Sequence, residues 1–83
     1  MLGNTAPKFE TQKEQQLYAL RLLLSNFNYN RAEMAIAFKV NIGTVNQWFA
    51  RGRISAQKAI EAESLTGGQI NKKFMRPDVA DWI

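Results

Sequence analysis

The chain has 83 residues, close to the lower limit at which one hydrophobic core holds a domain together without covalent staples. It contains neither cysteine nor histidine, which excludes a disulfide framework and a thiolate metal site and fits a reducing, cytoplasmic compartment. The net charge is +4 with a pI near 9.8, and the surplus is local. Between Arg31 and Lys58 five basic residues (Arg31, Lys39, Arg51, Arg53, Lys58) meet one acid, Glu33, while the rest of the chain balances six against six. Such a window attracts a polyanion, because each phosphate it neutralises releases counterions. The longest near-apolar stretch, Leu17 to Leu24, is broken by Arg21 and far too short to span a bilayer. The first ten residues, MLGNTAPKFE, do not form a signal peptide pattern, so no membrane partner is expected.

Residues 1–10 carry Gly3 and Pro7 without periodicity and are expected to be a flexible arm ahead of a single domain of residues 11–83. Thr11-Gln-Lys-Glu14 is a capping box, and Leu17, Leu20, Leu23, Leu24 and Phe27 follow at helical spacing, so a first helix is predicted over about 12–26. Asn26, Asn28 and Asn30 mark a break. Asn30-Arg-Ala-Glu33 repeats the capping pattern and opens a short helix over about 31–38, with Met34, Ala35 and Phe38 inward. After a tight turn at Lys39 and Val40, Asn41 caps a third helix that runs to about Arg51 and ends at Gly52. Ser55 caps a fourth over about 56–65, with Ala56, Ala59, Ile60 and either Ala62 or Leu65 inside; Gly67-Gly68 stops it. Asn71, Lys72 and Lys73 read as a polar, basic stretch, and Pro77 suits the first turn of a final short helix carrying Val79, Trp82 and Ile83. Nothing alternates long enough for a sheet. The expected fold is all-α, a compact bundle of about five short helices.

The third helix carries the functional signal. At 100° per residue Val45, Trp48 and Phe49 share one side, with Ile42 at its margin. The other side holds Gly43, Asn46, Gln47 and Ala50, with Arg51 at its edge and Thr44 between faces, and no acid occurs from residue 34 to 60. Ordinary solvent faces carry Glu and Lys. Small residues instead let a helix enter a groove about 12 Å wide, and side-chain amides pair with adenine N6 and N7. Ahead of it, Ala35 is the small residue needed where two short helices cross, with Met34, Phe38, Val40, Val45 and Trp48 filling their shared core.

Residues Arg31 to Trp48, RAEMAIAFKVNIGTVNQW, resemble the helix-turn-helix of phage Cro-type repressors and the related YdaS-like prophage regulators. The likeness extends over roughly residues 17–82 through Gly52-Arg53, Glu63 to Gly68 and Arg76-Pro77-Asp78. Lys39 departs from it, standing in the turn where the family usually has glycine, and Gly43 is unusually early in the recognition helix. The resemblance implies a lambda-repressor-like fold and a transcriptional regulator bound to double-stranded operator DNA as a homodimer, without cofactors. Carried onto this chain, Ile42, Gly43, Asn46 and Gln47 would face bases, while Arg31, Asn41, Thr44, Arg51, Arg53 and Lys58 would hold phosphates.

Catalysis is not expected. There is no glycine-rich phosphate loop, and Glu61 and Glu63 diverge on their helix. Thr44 to Trp48 followed by Arg51-Gly-Arg53-Ile54 also resembles excisionase-like and terminase-like architectural modules, which would need a β-hairpin after the recognition helix. An antitoxin with a protein partner is a further alternative, since Phe74, Met75, Val79, Trp82 and Ile83 could close the core or form a contact between chains. The groove face has no arginine except Arg51 at its edge, so half-sites are expected to be read mainly through adenine by Asn46 or Gln47. Selection of binders from random duplexes checks this, and a guanine-dominated half-site contradicts it.

Overall fold

Each helix starts where a short polar side chain can accept an amide that the helix itself leaves unpaired. The computed structural model describes residues 9–79 and, among them, five α-helices and no strand. Helix α1 spans Gln12–Ser25, with the Thr11 hydroxyl accepting from the Glu14 amide at 3.1 Å. Glu14 reaches back past the cap to the amide of Glu10 at 2.8 Å. Helix α2, Arg31–Phe38, is capped by Asn30, whose Oδ1 accepts from the amides of Ala32 and Glu33 at 2.9 and 3.1 Å. Helix α3, Ile42–Arg51, follows Asn41, and α4, Ala56–Leu65, follows Ser55. Gly52 ends α3 with φ +78°, a conformation that a side chain would strain.

The tail differs from the sequence expectation. Among the described residues its helix, α5, is the single turn Lys72–Met75, where the Asn71 side chain accepts from the Phe74 amide at 2.9 Å. It does not start at Pro77. A residue before proline is pushed out of the helical region, and Arg76 accordingly sits at φ −136°, ψ 71° and ends α5. Trp82 and Ile83 lie outside the described residues, as do residues 1–8 of the expected arm. Phe9 is described, with its ring 5.3 Å from Tyr18 and 6.1 Å from Phe74.

Leu20 and Leu23 of α1, Met34 and Phe38 of α2, Val45 of α3 and Met75 of α5 are fully or almost fully buried in one core. Helix α4 contributes only Ala59 and Ala62, so it can lie close to its neighbours. Ile60, expected inside, is 40% exposed because it lies 100° around the helix from Ala59; Leu65 is outward as well. Ile54 and Ile70, both buried, join the core instead from the segments before and after α4. The hairpin that the winged architectural modules would need is replaced by α4.

The turn between α2 and α3 reverses the chain in three residues. Lys39 adopts the left-handed conformation, φ 58°, ψ 42°, and the Val40 amide donates to the Ala35 carbonyl at 3.0 Å. A side chain in this region costs about 1 kcal/mol because its Cβ crowds the following carbonyl. Replacing Lys39 by glycine is therefore expected to raise unfolding stability by up to roughly 1 kcal/mol, and Lys39→Val to lower it. Urea unfolding with unchanged m-value is the measurement; a Lys39→Gly midpoint below the wild-type value contradicts the strain.

Candidate nucleic-acid interface

Val45 and Trp48 seat α3 in the core, at 0% and 6% exposure. The Trp48 ring meets Phe38 edge-on, with centroids 5.4 Å apart, and Phe38 meets Phe27 edge-on at 6.2 Å. Such pairs add about 0.5–1.5 kcal/mol beyond the area they bury. Ala35, buried on α2, is small enough to let the two helices approach. With this side fixed, Gly43, Asn46, Gln47, Ala50 and Arg51 are exposed, Thr44 is half-buried and Ile42 is 48% exposed at the first turn.

The start of α3 explains its glycine. The Asn41 Oδ1 accepts from the Thr44 amide at 3.0 Å and from its hydroxyl at 3.3 Å. A Cβ on residue 43 would come within 3.2 Å of that same oxygen. Gly43 thus leaves the cap uncrowded and the first turn bare.

The basic residues are deployed differently from one another. Arg51 is exposed and has no ion pair among the described residues. Arg31 crosses from the first turn of α2 to α3, donating from Nη1 to the Asn46 Oδ1 at 2.9 Å with its guanidinium carbon 4.3 Å from the Phe49 ring centre. Arg53, half exposed, lies 3.7 Å from Asp78. The Lys58 ammonium is turned inward: it donates to the Phe38 carbonyl at 3.3 Å, at the end of α2, and pairs with Glu61 at 3.1 Å. The α3 positions and Arg31 therefore come together, Arg53 stands beside a carboxylate, and Lys58 is bound to other groups of the protein.

Sequence reasoning missed what surrounds Asp78. Arg76 donates to both of its oxygens, from Nε at 2.9 Å and Nη2 at 2.7 Å, and from Nη1 to the Ile54 carbonyl at 3.0 Å. The buried Gln16 of α1 donates to the Asp78 Oδ1 at 2.9 Å. Beside this network Gln12, Lys13, Gln16, Arg51, Arg53 and Asp78 line a cleft of about 450 Å³. Lys13 thereby joins two arginines that lie far from it in sequence, and no local pattern could have signalled it.

The family profile described as bacterial toxin YdaS matches residues 30–82, from the cap of α2 to the tail. The chain belongs to the YdaS family. No curated protein and no solved structure matches it. The YdaS match contains the whole exposed side of α3, Arg31, and the Arg53–Arg76–Asp78 group, whereas α1 lies ahead of it. Among the described residues of this YdaS chain, no helix is long and apolar enough to cross a membrane.

The hydrogen-bonded Arg76 guanidinium holds the Asp78 carboxyl below the usual carboxylate range, against a smaller opposing effect of burial. A depressed folded-state pKa contributes stability that is present above the unfolded value, about 3.9, and lost as pH falls through the folded one. Asp78→Asn should therefore melt below the wild type at neutral pH, and the gap should close only in acid below about pH 4. Paired thermal melts across pH 2–7 test this; a gap that persists at the acid end excludes the carboxylate as its source.

Proposed function

We propose that this chain is a sequence-specific, double-stranded DNA-binding transcriptional regulator of the repressor type. It binds operator DNA as a homodimer, with α2, the turn and α3 acting as a helix-turn-helix and each α3 lying in one of two successive major grooves. The observation that carries this reading is the exposed side of α3. It presents Gly43, Asn46, Gln47 and Ala50 with no acid from residue 34 to 60, opposite a side anchored by Trp48. Small residues suit entry into the groove, amides suit base edges, and Arg51 at the far end suits a phosphate. Lys13 lines the cleft at the same end and extends the phosphate-binding surface, with Arg53 contributing only in part because Asp78 lies 3.7 Å from it. The protein acts by binding rather than by catalysis, and needs no cofactor.

The description of the family as a bacterial toxin favours a second reading, inhibition of growth when the chain is produced. The two readings are separable. If inhibition runs through DNA, variants that lose binding also lose toxicity; if it runs through a protein partner, toxicity survives them.

Fluorescence anisotropy with duplexes from the region flanking its own gene, at two salt concentrations, tests the DNA reading. Tight binding that weakens as salt rises and is not matched by unrelated duplexes supports it, and binding that is absent or equal for unrelated duplexes refutes it. Gln47→Ala should relax one base position at a cost of about 1–3 kcal/mol, while Arg51→Ala should weaken all sequences alike and flatten the salt slope by about one unit.

A further inference from the structure

A guanidinium has only donors, so an amide bonded to it must present its oxygen. The 2.9 Å bond from Arg31 Nη1 to Asn46 Oδ1 therefore excludes the flipped amide, which would set N–H groups against N–H groups. The guanidinium is itself held, with its carbon 4.3 Å from the Phe49 ring centre, where a planar cation is attracted to the ring face. Asn46 is its only hydrogen-bond acceptor among the described residues, and it has no ion pair there. The three side chains form a cross-link from the first residue of α2 to the middle of α3, lying along the helix that would enter the groove.

We infer that Arg31 is a positioning residue that locks the Asn46 amide with its oxygen toward α2 and its NH₂ outward, and thereby sets base preference where Asn46 reads. This role rests on the DNA-binding reading above and replaces the phosphate contact expected for Arg31. Locked in this way, Nδ2 donates to a purine N7, and the second lone pair of Oδ1 remains for the N6 amino group of adenine. Unlocked, the amide turns over and offers its oxygen where its NH₂ stood, so that a donor such as the cytosine N4 amino group is accepted as well. Arg31 thus favours adenine over cytosine at one position without touching either base.

The test compares wild type with Arg31→Met, which removes the donors, and Arg31→Lys, which restores one donor without the planar stack. Base-resolved binding to a duplex library should show the preference for adenine over cytosine falling about tenfold at one position in Arg31→Met. Other positions should keep their preferences, and Arg31→Lys should recover part of the loss. In an Asn46→Ala background, Arg31→Met should change the preference no further. A readout without DNA accompanies this. The Asn46 side-chain amide NMR signals of the free protein should shift in Arg31→Met while the α3 backbone signals stay in place. Uniform weakening with intact preferences and a salt slope shallower by about one unit would make Arg31 a backbone clamp and overturn the inference. Unmoved Asn46 amide signals overturn it too. If the wild type binds no duplex, the proposed function fails and this role fails with it; if wild-type selectivity survives Arg31→Met, only this role fails.

Discussion

The edge-on contact between Trp48 and Phe38 sets the rotation of α3 about its own axis, and the chemistry presented on the other side follows from that setting. Turning α3 by one residue, about 100°, would take Trp48 out of the core, and emptying such a site costs about 3–5 kcal/mol. Nothing on the exposed side opposes the core, because Gly43, Asn46, Gln47 and Ala50 make few demands on their surroundings. Ala35 completes the constraint by bringing α2 close, and the left-handed Lys39 lets the chain reverse quickly enough to make that crossing. The exposed residues of α3 are thus held by an element seated by its other side, with only Gly43, which keeps the Asn41 cap uncrowded, and Asn46, bonded to Arg31, tied to the fold. Gln47 and Ala50 are free to be chosen for what they recognise.

A second anchor lies beyond the C-terminal end of α3, where Arg51, Arg53 and Asp78 line one cleft. Asp78 collects Arg76, Gln16 and Arg53, and Arg76 extends the network to the Ile54 carbonyl. Gln15 adds a bond from α1 to the Phe74 carbonyl at 2.9 Å. Helix α1 precedes the span shared with the YdaS family, yet it supplies the core leucines and both glutamines that hold the tail. In this chain the segment that matches the family profile therefore packs on α1 and is bonded to it through Gln15 and Gln16. Its α5 turn packs against α1 and α4, and without α1 the Gln16–Asp78 bond and the burial of Leu20 and Leu23 would both be lost.

The parts of this fold that could be read from the chain are those encoded locally. Thr11, Asn30, Asn41 and Ser55 mark four helix starts because capping is settled within three residues, and the Val45–Trp48 stripe is periodic. The same logic placed the exposed side of α3, since the two sides of one helix are fixed by each other. Helix α5 was missed because a single turn has no period to detect, although Asn71 is a cap of the same kind as the other four. Ile54 and Ile70 belong to the core from irregular segments, where no spacing rule applies, and Ile60 was drawn inward by its chemistry when the narrow Ala59–Ala62 stripe left it no room. The Arg31–Asn46 bond spans fifteen positions and two helices. It depends on the angle at which they cross, which only the packed structure supplies.

Charge shows the same difference between chain and fold with a larger consequence. In sequence the window from Arg31 to Lys58 carries a surplus of four positive charges. In space Glu61 comes back against Lys58, and Asp78, shared with Arg76, stands 3.7 Å from Arg53, so part of that surplus is offset by acids from outside the window. Arg31, still charged, is occupied with Asn46 and Phe49. What stands clear in that window is Lys39 at the turn and Arg51 at the end of α3, with Lys13 added from α1 across the cleft. An interface with so few uncommitted cations cannot rest on counterion release alone, because that term grows with the number of phosphates neutralised. On the proposed DNA-binding reading, the weight therefore moves to the amides of α3 and to whatever holds them in one orientation.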